Sequence, residues 1–278
     1  MNDEHDEIDA LRAEILRLRE LLATHGIEWR PKPKTHQSAL SLEERVALFR
    51  SLFRGREDVF ARRWSSRASG KSGYQPVCRR EWQPQFCDKK KYKCADCPNR
   101  EFEPLAYEHI YRHLEGRDPD CRDVVGTYAI TASNGCFFLC ADFDDKSCEH
   151  GYHNDVKAYL SVCRDWEIPA YVEISRSGNG AHVWIFFQEE VAARDARRLG
   201  NVILTEAMER EERMSFKSYD RFFPNQDSLP DGGFGNLVAL PLQGQARKNG
   251  NSVFVNDDFK PYADQWGISA IRQENDGS

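Results

Sequence analysis

The sequence predicts an α+β fold, and three observations carry that expectation. Apolar runs of strand length stand at Cys136–Ala141 and across Ala170–Phe187, the second broken by glycines. Helical spacings of three and four separate them, as in Val156, Tyr159, Leu160 and Cys163, and a long mixed-charge stretch from about Ala192 to Glu212 reads as a further helix. The 278 residues, 40% hydrophobic and 30% charged, suffice for one sizeable core with a smaller module attached.

At the N-terminus, Ile8, Leu11, Ile15, Leu18 and Leu22 describe the seam of an amphipathic or coiled-coil helix within residues 1–30. Such a seam offers either self-association or docking on the same chain. Two prolines in Trp29-Arg-Pro-Lys-Pro-Lys34 end it, so residues 31–40 read as a linker. Ser41-Leu-Glu-Glu44 supplies a capping box for a helix through Val46, Phe49 and Leu52, which opens a basic segment over 41–104. A core over 105–266 and a polar tail over 267–278 complete the expected division.

Charge is distributed unevenly. The formal net charge is −6, yet Arg45–Arg100 holds 15 Lys and Arg against 5 Asp and Glu, a local excess of ten that leaves −16 for the rest. A basic segment of that density is the footprint of contact with a phosphate backbone, or else a solvated charged surface. No apolar run approaches the roughly 20 residues of a membrane-spanning helix, and the acidic start Met-Asn-Asp-Glu-His lacks a basic signal region, so the expected setting is cytoplasmic, without a membrane partner.

Nine cysteines in such a setting point to metal ligation and buried thiols rather than disulfides. The Cys94-Ala-Asp-Cys97 knuckle lets two thiolates meet one zinc, and Cys78 and Cys87 complete a four-thiolate set. Trp82, Tyr92, Lys89-Lys-Lys91 and Lys93 lie among them, as a zinc-stapled nucleic-acid contact would require; a zinc of purely structural role is the alternative. Cys148, His150 and His153 read as a surface turn.

The apolar run Gly135–Ala141 ends abruptly in Asp142-Phe-Asp-Asp145. In a strand, residues two apart face the same way, so Asp142 and Asp144 project side by side while Phe143 packs behind them. Paired carboxylates repel unless a cation sits between them, and their oxygens suit Mg2+ or Mn2+; turn chemistry at a strand end is the plain alternative. Asp220, before the apolar pair Phe222-Phe223, is the preferred third carboxylate over Asp227, which lies beyond Pro224. In Arg176-Ser-Gly-Asn-Gly180, the glycines free backbone N–H groups to turn toward an anion, and Arg176, Ser177, Gly178, Asn179, Gly180 and His182 together suit a triphosphate. Arg247 and Lys248, in a Gly-rich basic stretch, are further phosphate contacts or an exposed loop; Asn225 and Gln226 are placed to meet a sugar or base edge.

This order, a strand with Asp-x-Asp, a Gly-rich turn with Ser and His, then a later Asp, resembles the archaeo-eukaryotic primase superfamily. Leu48-Phe-Arg-Ser-Leu-Phe-Arg-Gly-Arg-Glu-Asp58, Ser175-Arg-Ser-Gly-Asn-Gly180, Tyr219-Asp-Arg-Phe-Phe-Pro-Asn-Gln-Asp227 and Gly235-Asn-Leu-Val-Ala-Leu-Pro-Leu242 resemble more narrowly the primase domain of TOTE conflict system proteins, over about Ser41 to Trp266. The resemblance implies an αβ module joined to an RRM-like sheet with the active site between them, and template-directed nucleotide joining, as a primase or DNA polymerase. By the same resemblance, Asp142, Asp144 and Asp220 carry two divalent ions, His182 and the Ser177–Gly180 turn hold the nucleotide's phosphates, and Cys78, Cys87, Cys94 and Cys97 hold zinc. Its implied partners are single-stranded or primed DNA, nucleoside triphosphates, and helicase and nuclease regions. Two other readings stay open from the residues alone: a metal-dependent nuclease using the same acids, and a non-catalytic DNA-binding module.

Overall fold

The computed structural model describes residues 40–144, 151–210, 217–229 and 231–267, with Arg17, Leu21, Thr24 and His25. The chain divides into units Met1–Ala39 and Leu40–Ser278, and the elements below all belong to the second. In the first, the His25 N–H donates to the Leu21 carbonyl at 3.2 Å, a helical step; the rest of the expected 1–30 helix, the 31–39 linker and the tail from 268 onward lie outside the described residues.

Helix α1 (Leu42–Leu52) begins where the sequence places it. The Ser41 hydroxyl accepts from the Glu44 N–H at 3.2 Å, and the Glu44 carboxylate accepts from the Ser41 N–H at 2.7 Å. These reciprocal bonds satisfy two of the amides that a helix start leaves without partners. The helix buries Val46, Phe49 and Leu52.

Two antiparallel sheets follow. The first has the order β2-β1-β3-β8, from β1 (Ala61–Ser65), β2 (Ser72–Pro76), β3 (Val125–Tyr128) and β8 (Leu237–Ala239). Strands β1 and β2 come from the basic segment, so the expected boundary at 104/105 runs through a hydrogen-bonded sheet. Helix α2 (Tyr107–Glu115) lies between β2 and β3 in sequence.

The second sheet has the order β7-β4-β6-β5-β9, from β4 (Gly135–Asp144), β5 (Tyr171–Ile174), β6 (Gly180–Ala192), β7 (Tyr219–Phe223) and β9 (Val253–Val255). Helix α3 (His153–Asp165) joins β4 to β5, α4 (Ala193–Arg210) joins β6 to β7, and a short α5 (Gly244–Arg247) precedes β9. The run β4-α3-β5-β6-α4-β7 is the βαββαβ arrangement, with β9 added at one edge. This matches the RRM-like sheet that the resemblance implies.

Alternation along β4 explains the two cores. Leu139, Ala141 and Phe143 face α3 and α4, packed with Val156, Tyr159 and Ile203. Phe138 and Cys140 face the other way, into a cluster with Phe49 and Phe53 of the α1 region and with Val125 and Val238 of the first sheet. Asp142 continues the Phe138–Cys140 row. The acids therefore emerge on the sheet face that carries no helix from α3 or α4.

Candidate active site

Antiparallel register sets one transverse row of charge. Glu173 on β5 opposes His182 on β6, His182 opposes Asp142 on β4, and Asp142 opposes Arg221 on β7. Opposed residues in antiparallel strands share a face and approach within about 5 Å, so the row reads acid, imidazole, acid, guanidinium. Phe143, turned away, is fully buried against Tyr159, as expected.

Asp220 reaches the same place through an irregularity. Asp142 opposes Arg221 but Phe143 opposes Tyr219, so Asp220 is the extra residue of a β-bulge. Regular alternation would turn it to the face opposite Arg221 and Asp142; the bulge re-aims it. One carboxylate oxygen each from Asp142, Asp144 and Asp220 then lies within 4.8 Å of the others, and all three residues are half-buried. The start of β7 is tied down on both sides: the Ser218 carbonyl accepts from the Asp144 N–H at 2.8 Å, and the Ser218 hydroxyl donates to buried Asp155 of α3 at 2.5 Å.

Electrostatics set the character of this group, which could hold a metal ion. Burial pushes the Asp142 carboxyl up to about 6; His182 pulls it down, and Asp144 and Asp220 raise it further. Such a group favours either a proton or a cation, and three hard oxygens are the donor set of Mg2+ or Mn2+. The Arg221 guanidinium donates to Asp220 at 2.6 Å and offsets part of the charge. Asp227, the competing third acid, is instead paired with Arg197 at 2.7 Å.

His182 is held from both sides. Its Nδ1–H donates to the Glu173 carboxylate at 2.5 Å, and Nε2 lies 3.5 Å from Asp142. Burial lowers the imidazole pKa, but the Glu173 carboxylate, with Asp142 and Asp144, outweighs it and lifts the ring to about 9. Glu173, 1% exposed, was not singled out from the sequence. The available signal was an acid inside the otherwise apolar strand Tyr171-Val-Glu-Ile174.

The β5–β6 turn corrects one expectation. The Gly178 N–H donates to the Ser175 carbonyl at 3.0 Å and the Asn179 N–H to the Ser177 hydroxyl at 3.3 Å, so these amides close the turn rather than face an anion. The glycines are still required by geometry. Gly178 has φ +81°, and a Cβ on Gly180 would stand 2.4 Å from the Phe143 carbonyl and 3.0 Å from an Asp144 carboxylate oxygen. Gly180 lets β6 run against the acid pair. Arg176 is half-buried and Ser177 exposed on the same turn.

The remaining residues separate from this group. The Arg247 guanidinium donates to the Leu114 carbonyl at 2.8 Å, so it is committed to α2 rather than exposed for phosphate, while Lys248 is exposed and donates to Gln245. The Asn225 N–H and the Gln226 amide bond within their own loop region, to Asn236 and Ser228. His153 stacks on Tyr152 and meets Phe259 edge to face, and Cys148 and His150 lie outside the described residues.

Cys78, Cys87, Cys94 and Cys97 line one small cavity of about 30 Å3. Among the described residues their sulfurs do not form a group as tight as the carboxylates. Burial pushes the Cys94 thiol up, Lys89 pulls it down, and Cys87, Glu81 and Cys78 add to the rise. Around the cavity, Trp82 is 72% exposed with the Lys89 ammonium 4.1 Å above its ring, and Lys91 sits over Tyr92 at 5.0 Å.

Comparison with known proteins adds three findings. No curated protein matches the chain. Among solved structures, the polymerase domain of Mycobacterium tuberculosis Ligase D in complex with DNA superposes with a TM-score of 0.42 and 11% identity, covering 90% of this chain and 96% of that one. A family model described as the archaeo-eukaryotic primase domain of the TOTE conflict system matches residues 44–275, a span that includes the acid triad, the glycine turn, His182 and the four cysteines. This chain belongs to the archaeo-eukaryotic primase domain family of TOTE conflict systems.

Proposed function

We propose that this domain joins nucleoside triphosphates to a 3′-hydroxyl on a DNA template, with Asp142, Asp144 and Asp220 as ligands of two divalent cations, Mg2+ or Mn2+. The observation that carries this reading is the convergence of three carboxylates, 76 residues apart in sequence between Asp144 and Asp220, within 4.8 Å. When bound there, paired divalent ions lower the pKa of an attacking hydroxyl and neutralise the leaving pyrophosphate. The chain's own groups do the rest. Protonated His182 presents Nε2–H as a charge-assisted donor to a phosphate oxygen beside the triad. Arg176 and the Ser177 hydroxyl extend that contact along the turn. Binding the triphosphate against the acids supplies orientation, which in such reactions contributes several kcal/mol of barrier lowering, about 7 or more at best.

The four cysteines are assigned to zinc. Their shared cavity supports this, as does the Glu101 N–H, which donates to the Cys78 sulfur at 3.4 Å as an outer-shell bond to a ligating thiolate would. Trp82, Tyr92 and the lysines over their rings are assigned to the template, where aromatic stacking and backbone neutralisation act together.

Incubating the protein with a primed template, labelled nucleotides and Mg2+ or Mn2+ tests the reading. Elongated primer is expected. Shortened template would identify a nuclease, and an unchanged template with bound protein would identify a binding module.

A further inference from the structure

We propose that Glu173 is a positioning residue for His182: its carboxylate fixes the imidazole with Nδ1 turned into the sheet and Nε2 turned out toward the acid triad. The inference deepens the proposed nucleotidyl transfer and rests on the reading of His182 as the phosphate donor.

Geometry carries the argument. Glu173 and His182 are directly opposed across β5 and β6, so their side chains leave the same face at neighbouring positions. The Nδ1···Oε2 distance of 2.5 Å marks a short charge-assisted bond, and both residues lie within the protein, 1% and 9% exposed. A carboxylate accepts only, so Nδ1 must carry a proton, which leaves Nε2 as the atom 3.5 Å from Asp142. A ring flip would break the Glu173 bond and direct a carbon at the triad. The ring is further walled by Trp184, whose centroid is 5.9 Å away at 77°. Glu173 forms no other side-chain hydrogen bond or ion pair among the described residues, so a buried charge is retained for this one contact. Leaving a carboxylate buried has a large desolvation cost unless it is paired. In metal sites, a carboxylate behind a ligating histidine performs the same service and its loss typically costs 10–100-fold.

The test uses the full chain with Glu173→Gln, Glu173→Ala, His182→Ala and the double variant Glu173→Gln/His182→Ala. Steady-state incorporation on a primed template should show nucleotide KM raised roughly tenfold in Glu173→Gln. The effect should vanish in the His182→Ala background, since the carboxylate acts through that ring. A wild-type KM in Glu173→Gln, or an undiminished loss in the double variant, overturns the proposal. A second readout does not need turnover. Imidazole 15N–1H spectra of the wild type should show a low-field Nδ1–H resonance, absent from His182→Ala and from Glu173→Ala but retained at a shifted position in Glu173→Gln. No such resonance in the wild type, or its persistence in Glu173→Ala, overturns the positioning role even if the protein incorporates nothing. Absence of incorporation with the resonance behaving as expected would instead count against the transferase reading alone.

Discussion

His113 shows how completely a single side chain can be specified by its bonds. Its Nε2–H donates to the Pro241 carbonyl at 2.8 Å, and its Nδ1 accepts from the Val125 N–H at 3.0 Å, so only the neutral ring fits. Burial pulls its pKa down to about 4 from the ordinary 6.5. Because the unfolded chain binds the proton more readily, this stability is fully present above pH 6.5 and is lost as pH falls toward 4. The expected loss between pH 7 and pH 5 is about 2 kcal/mol from this residue. Urea melts at the two pH values check it: wild type should lose that amount more than His113→Gln, and parallel losses would contradict it. At the charged row across β5, β6, β4 and β7 the sequence was legible in part. Asp142, Asp144 and His182 announced themselves by alternation and by a neighbouring glycine turn. Glu173 did not, because a lone acid in an apolar strand has no visible partner until the register places His182 opposite.

At the scale of elements, the decisive feature is the slip in pairing between β4 and β7. Period-two alternation forecast the Asp142–Asp144 pair from the strand alone. It could not forecast Asp220, because a bulge is a property of two strands, and the choice over Asp227 rested on its place before an apolar pair. The glycine turn was legible as a turn but not in its bonding: Ser175 and Ser177 compete for the amides that the glycines free. Gly180 makes the sharpest prediction here. Its absent Cβ lets β4 approach, so Gly180→Ala must push the Phe143 carbonyl and the Asp144 carboxylate aside. Incorporation should fall by about 100-fold, as displacements near 1 Å cost in comparable sites. Near-normal rates in a folded variant, measured on a primed template, would show that the acids tolerate displacement.

For the whole molecule, the two sheets share one apolar cluster, in which Val125 and Val238 meet Phe138 and Trp184. The division drawn from the sequence at residue 104 cuts through this sheet, because β1, with Arg62 and Arg63, and β2 lie within the basic segment while their backbones complete the first sheet. Composition follows the surface, and pairing follows the backbone. The cysteine cavity nevertheless gathers its residues from 76 to 102 alone. Stripping zinc with a chelator should lower the melting temperature by on the order of 5–10 °C and release zinc measurable by a colorimetric assay. An unchanged melt with no zinc in the wild type would contradict that assignment. The most direct test of the central claim is calorimetric titration of Mn2+ into the protein in the presence of a non-hydrolysable nucleoside triphosphate. The account predicts metal binding that is abolished in Asp142→Asn and Asp220→Asn while both variants keep the wild-type melting profile. Equal Mn2+ affinity in the wild type and in both variants would contradict it.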